Sequence, residues 1–79
     1  MKAHIYVTLK RTVLDPQGQT IHGALKRMQY TGVEEVRQGK YFQLTLCGDA
    51  SDARAEVERI ARDVLTNPVI EEFTYHIEE

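Results

Sequence analysis

The fold of this 79-residue chain is decided by the stretch His4-Ile5-Tyr6-Val7-Thr8-Leu9-Lys10 near its start. Apolar and polar residues alternate along it, so that Ile5, Val7 and Leu9 share one side. Successive side chains of a β-strand point to opposite faces of the sheet. The alternation therefore predicts a strand with one buried face and one exposed face.

Two amphipathic helices are predicted downstream of this strand. Asp15 before Pro16 is a typical helix start, because the carboxylate caps free backbone N–H groups and proline suits the first helical position. The apolar stripe of this first helix is Ile21, Ala24, Leu25 and Met28. A second helix is predicted with Asp49 or Ser51 as its cap. Its stripe is Ala53, Val57, Ile60, Ala61 and Val64.

The remaining segments are predicted to be strands. Residues 33–47 form either two strands joined near Gln38-Gly39 or one long bent strand, and the sequence leaves both alternatives open. Residues 72–77 alternate again and form the last strand. The order β-α-β-β-α-β predicts a single α+β domain over residues 1–79, with a ferredoxin-like antiparallel sheet and both helices on one face.

One face of this sheet is predicted to stay free of helices, and we call it the open face. It carries Tyr6, Thr8, Tyr41, Gln43, Thr45, Cys47 and Thr74. An isolated domain in water usually places more Lys and Glu on such a surface. We therefore expect a homodimer or higher homo-oligomer that covers Tyr6, Tyr41 and Thr45, or that extends the sheet by edge pairing.

Composition excludes several classes of function. The chain is 42% apolar and 28% charged, with a formal net charge of −2. This is typical of a globular domain and lacks the basic surface that nucleic-acid binding requires, including that of an RNA-binding sheet. The first residues enter a strand directly, without a signal peptide or membrane span, and Cys47 is the only cysteine. We expect a cytoplasmic protein with no nucleic-acid or membrane partner.

No catalytic, metal or cofactor site is predicted. His4 and His76 could meet across the first and last strands, but two histidines are fewer ligands than zinc normally takes. Cys47 is followed closely by acidic residues rather than by a base that could activate its thiol. The acidic pairs at 34–35, 71–72 and 78–79 are predicted to be solvated edges, because neighbouring strand residues diverge.

Cations cluster around two loops in this acidic chain. Lys10 and Arg11 follow the first strand, and Arg37 and Lys40 flank Gly39. Cations at a glycine turn are well placed to pair with the carboxylates of a partner.

Several segments of the sequence resemble the PurS family, the small subunit of bacterial and archaeal phosphoribosylformylglycinamidine (FGAM) synthase. They are spread along nearly the whole chain in the family's order. They are residues 7–10, Val13-Leu14-Asp15-Pro16-Gln17-Gly18, residues 36–41 and residues 65–71. The Leu-Asp-Pro-Gln-Gly run is the most specific of them. This chain departs at Arg11-Thr12, where many relatives have Pro-Gly.

The resemblance implies a role within a glutamine-dependent carbon–nitrogen ligase of de novo purine biosynthesis. In that complex a glutaminase subunit releases ammonia, and a large synthetase subunit, which uses ATP and Mg²⁺, adds it to formylglycinamide ribonucleotide. This chain would be the non-catalytic subunit that brings the two together. Its expected partner interface is Lys10, Arg11, Asp15, Gln17, Gly18, Arg37, Gly39 and Lys40.

One alternative comes from a different class of function. A small dimeric regulatory domain that binds an amino acid or a nucleotide would have the same fold, so the fold alone does not decide. Ligase subunits that copurify with the chain would favour the assembly role.

Overall fold

The computed structural model describes residues 1–48 and 50–78, with Ala50 and Ser51 described by their backbone only. Its elements are β1 (Lys2–Leu9), α1 (Pro16–Arg27), β2 (Gly39–Thr45), α2 (Ala50–Ile60) and β3 (Glu71–Glu78). A π-helical turn, Ala61–Leu65, continues α2. Of the two caps predicted for α2, Asp49 lies outside the part of the chain that the structure describes, and Ser51 lies within the helix itself.

The sheet is antiparallel and has the strand order β2-β1-β3. In the central strand, Ile5 lies opposite Phe42 of β2 and Tyr75 of β3. His4 lies directly opposite His76. Three antiparallel strands combined with two helices confirm the predicted ferredoxin-like α+β arrangement.

Both alternatives for residues 33–47, two strands or one long bent strand, are wrong, because only Gly39–Thr45 joins the sheet. The preceding residues direct their polar groups toward the first helix and its loop. The backbone N–H of Gln38 donates to the Asp15 carboxylate at 2.7 Å. The Arg37 guanidinium donates to the carbonyl oxygens of Lys10 and Val13, each at 3.1 Å. Because of these bonds, the segment before β2 lies away from the sheet. It does not pair with the outer edge of β2.

The hydrophobic core lies between the sheet and α2. Ala3, Ile5 and Val7 of β1 are fully buried against Val57 and Ala61. Apolar residues of the flanking strands, and Leu46 just after β2, are half-buried around them: Phe42, Leu44, Leu46, Phe73, Tyr75 and Ile77. The predicted division of the sheet into a covered face and an open face is therefore correct.

The π-helical turn changes which residue of the second helix faces the core. Its wider winding places more residues in each turn than an α-helix has. As a result Leu65 packs against the core, whereas Val64, predicted to be buried, is 75% exposed. The chain then turns at Thr66 into extended backbone.

The two helices differ in how much of the sheet they cover. Gly18 is the only buried residue of α1, and no α1 side chain belongs to the core cluster of the described residues. The prediction that Ile21 and Met28 are buried is therefore wrong for the single chain, because both are exposed. The radius of gyration is 15.9 Å, against roughly 12 Å for a compact domain of this length. Helix α1 thus projects from the body of the protein.

Candidate functional site

Asp15 joins the start of α1 to the start of β2. Its carboxylate caps the helix by accepting the backbone N–H of Gly18 at 2.9 Å, and it also accepts the N–H of Gln38 at 2.7 Å. These two bonds, the one from Gln38 first, lower the pKa of the Asp15 carboxyl below its ordinary value. Asp15 is only 4% exposed. The predicted cap is confirmed, and its second bond ties two segments together.

Gly18 occupies a place where no side chain fits. A Cβ atom built on it would lie 2.2 Å from the Val36 carbonyl oxygen and 2.7 Å from the Asp15 carboxylate. Contacts below 3.0 Å require the neighbours to move. This glycine is therefore needed so that the segment before β2 can pass close to the first turn of α1.

Lys40 forms an ion pair with Glu71 of β3, with 3.2 Å between the Lys40 Nζ and a carboxylate oxygen. The Glu71 carboxylate also accepts the Asn67 backbone N–H at 2.8 Å. That bond and then Lys40 lower the pKa of the Glu71 carboxyl. The prediction of a solvated edge is wrong for Glu71, whose side chain is 13% exposed. The sequence pattern did not predict this ion pair, because Lys40 lies thirty-one positions before Glu71 in the chain.

A cavity of about 190 Å³ lies among these groups. Its lining residues are Val7, Leu9, Asp15, Gln17, Gln38, Gly39, Lys40 and Glu71. The Gln38 side-chain amide donates to the Gln17 side chain at 2.6 Å. At the loop beside it, Arg11 pairs with Glu35 at 3.2 Å on an exposed surface.

The structure brings the eight residues of the expected partner interface to one end of the sheet. We call this surface the junction patch: Lys10, Arg11, Asp15, Gln17, Gly18, Arg37, Gly39 and Lys40. It forms where β1 ends and where α1 and β2 begin. Arg37 is half-buried and already donates to this chain's own carbonyls. Its contact with a partner stays a prediction.

The open face carries aromatic and imidazole rings side by side. The rings of Tyr6 and Tyr41 are 5.3 Å apart, and those of His4 and His76 are stacked at 6.1 Å. The meeting of the two histidines is thus confirmed. His4 Nε2 also lies 3.2 Å from a carboxylate oxygen of Glu78. No group of three or more potential metal-ligating side chains was found among the described residues.

These features define a class of protein: a small α+β domain with a polar junction patch and a weakly charged open sheet face. Cys47 is free and exposed. None of the described helices is both long enough and apolar enough to cross a membrane.

The chain belongs to the PurS family, since residues 2–79 match the family described as "PurS: Phosphoribosylformylglycinamidine (FGAM) synthase". It is 42% identical to the Bacillus subtilis FGAM synthase subunit PurS over 78 residues, which cover 99% of this chain and 93% of that protein. A crystal structure of B. subtilis PurS superposes with a TM-score of 0.88, covering 99% of this chain and 98% of that one.

A structure of PurLQS from Thermotoga maritima contains a similar chain. The two are 30% identical and superpose with a TM-score of 0.85, covering 95% of this chain and 93% of that chain. The expected family is therefore confirmed, which favours the assembly role over the regulatory alternative.

Proposed function

We propose that this chain is the non-catalytic assembly subunit of FGAM synthase in de novo purine biosynthesis, acting in the cytoplasm. The observation that carries the proposal is its similarity, over nearly its full length, to a chain of the PurLQS structure. In this role it brings a glutaminase subunit and a large synthetase subunit together, so that ammonia passes to formylglycinamide ribonucleotide. ATP and Mg²⁺ are used by the large subunit, and this chain binds no cofactor.

The junction patch is the surface that we propose for the ligase partners. Its core is held in place by Asp15 and by Gly18, which fix the path of the neighbouring backbone. Lys40 is half-exposed, and Arg11 is 78% exposed at its side chain. Both cations can therefore reach a partner's carboxylate, because most of their surface faces solvent.

Reversing the charge of Lys40 tests this surface. We expect Lys40→Glu to weaken binding of the ligase subunits by about 1–3 kcal/mol if Lys40 loses its water in the interface. The loss should be much smaller if Lys40 lies at the solvent-exposed edge of the interface. The variant also places two carboxylates together, so Lys40→Glu/Glu71→Lys serves as the control that restores the local ion pair. A salt-dependent binding titration, with circular dichroism to verify the fold, makes the measurement. If all these variants bind like the parent protein, Lys40 does not contact the partners.

The open face is the surface that we propose for self-association. Tyr6 and Tyr41 are 47% and 52% exposed in the single chain, and Thr45 lies on the same strand as Tyr41. We expect Thr45→Glu to shift the protein toward smaller species, because a carboxylate would lose its water at the contact. Sedimentation velocity at tens of micromolar measures this shift. Thr45→Val, which has a similar shape and no charge, should associate normally. A parent protein that is strictly monomeric would contradict the proposal.

A further inference from the structure

The loop of residues 66–70, which we call the β3 entry loop, presents an apolar side chain at its turn. It connects the π-helical turn to β3. Val69 is 78% exposed in this loop, although turns usually carry small or polar residues such as Gly, Asn, Asp and Ser. Ile70, the next residue, is also exposed. Neither belongs to the core cluster of the described residues. The loop therefore places apolar surface in water without adding to the core.

The backbone of the β3 entry loop is fixed by hydrogen bonds. The Asn67 side-chain oxygen accepts the Val69 N–H at 3.1 Å. The Asn67 carbonyl oxygen accepts the N–H groups of Ile70 and Glu71 at 3.1 and 2.7 Å. The Asn67 N–H in turn donates to the Glu71 carboxylate at 2.8 Å, and Pro68 cannot rotate freely about its own N–Cα bond. A partner that binds Val69 therefore does not have to order the loop first, which lowers the entropic cost of binding.

The β3 entry loop adjoins the junction patch. The Ile70 carbonyl oxygen accepts the Lys10 N–H at 2.9 Å. Glu71, the residue after the loop, forms the ion pair with Lys40. Lys40 is half-exposed, and the Arg11 side chain beside Lys10 is 78% exposed. An apolar anchor next to a charged rim is the usual composition of a protein–protein interface. The loop thus continues the surface that we propose for the ligase partners.

We propose that Val69 is an anchor residue that inserts into an apolar pocket on a ligase subunit, and that carboxylates border this pocket. The proposal deepens the assembly role and rests on it. The pocket must be apolar because burial of the valine side chain stabilises the complex only where water is removed from apolar surface. Its border must be acidic because Lys10, Arg11 and Lys40 adjoin the loop and would face it.

The test compares two valines that are almost equally exposed. Val69→Asp alters the β3 entry loop, and Val64→Asp alters the π-helical turn, where Val64 is 75% exposed. Each variant is titrated with the purified glutaminase and large subunits of FGAM synthase, and circular dichroism verifies the fold. We expect the dissociation constant to rise at least about tenfold for Val69→Asp, because its carboxylate would lose water in the pocket. It should change less than about twofold for Val64→Asp. Equal dissociation constants for the two variants would overturn the proposal.

Three further variants separate the side chain from its presentation. Val69→Ile keeps an apolar side chain and should bind like the parent protein, and Val69→Ser replaces Val69→Asp if the latter does not fold. Asn67→Ala keeps Val69 but removes the bond to its N–H. We expect this variant to bind roughly fivefold more weakly, because the loop must then be ordered on binding. Parent-like binding by Asn67→Ala would contradict the fixed presentation of Val69.

Failure of this proposal can be told apart from failure of the assembly role. If the parent protein does not bind the ligase subunits, the assembly role is wrong and the anchor is wrong with it. If the parent and Val69→Asp bind equally well, only the anchor is wrong. If Val69→Asp binds the ligase normally but changes the sedimentation velocity of the chain alone, the loop contacts a second copy. That result would overturn the proposal and leave the assembly role standing.

Discussion

Replacing Gly18 by alanine is expected to lower the free energy of unfolding by about 2–3 kcal/mol, the upper range for a forced overpacking. The added Cβ would lie 2.2 Å from the Val36 carbonyl oxygen and 2.7 Å from the Asp15 carboxylate. Val36 lies in the connection between α1 and β2, and Asp15 caps α1 and binds the Gln38 N–H of that connection. The substitution should therefore also loosen the junction patch and weaken binding of the ligase partners.

Gly23→Ala is the matched control, because Gly23 belongs to the same helix and lacks these close contacts. Its nearest neighbour would be the Arg27 guanidinium at 3.6 Å, an ordinary contact. Alanine is the better helix former, so this variant should gain about 0.5–1 kcal/mol of stability. Urea unfolding of both variants measures the difference. Similar free energies of unfolding for the two would mean that the close approach of Val36 is unimportant.

Replacing Ile5 by alanine is expected to cost about 2–5 kcal/mol, because it leaves a cavity where β1 meets the core residues of α2. Ile5 is fully buried. The stability of a domain of this size is only roughly 4–12 kcal/mol. A substantial part of the variant should therefore be unfolded at physiological temperature, and thermal unfolding followed by circular dichroism measures the loss.

The neighbouring residue separates the core from the open face. Tyr6 follows Ile5 in β1 but points to the opposite side, where it is 47% exposed. Tyr6→Ala should change the stability of the dilute single chain little and should weaken self-association instead. Because oligomers gain stability by mass action, its unfolding midpoint should depend less on protein concentration than that of the parent. If Tyr6→Ala destabilised the dilute protein as much as Ile5→Ala, the assignment of the two faces would be wrong.

Local pattern was sufficient to predict the three strands and two α-helices of the structure. Alternation in β1, β2 and β3 correctly divided the sheet into two faces, since each strand has its own buried and exposed side. The Asp15-Pro16 start of α1 was also predictable, because a cap and its helix are adjacent in sequence.

Long-range contacts explain what the sequence did not predict. The expected strand before β2 is absent because Arg37 and Gln38 bond to the loop that precedes α1. The apolar period of residues 21–28 correctly predicted a helix, but a period alone does not tell whether the apolar side chains are buried within the chain. Val64 is exposed because the π-helical turn shifts the stripe.

The residues of the junction patch could be predicted from the sequence, but their contacts with one another could not. Resemblance and charge selected its eight residues, which the structure places at one end of the sheet. The role of Glu71 was missed, since its ion pair with Lys40 depends on β3 and β2 meeting the end of β1 together.

The most direct test of the assembly role is reconstitution of FGAM synthase from its purified subunits, with and without this chain. Formation of FGAM is measured once with glutamine and once with free ammonia as the nitrogen source. The proposed function predicts no turnover by this chain alone. It also predicts that omitting the chain sharply reduces the glutamine-dependent rate while the ammonia-dependent rate of the large subunit persists. An unchanged glutamine-dependent rate without the chain, or turnover by the repurified chain alone, would contradict it.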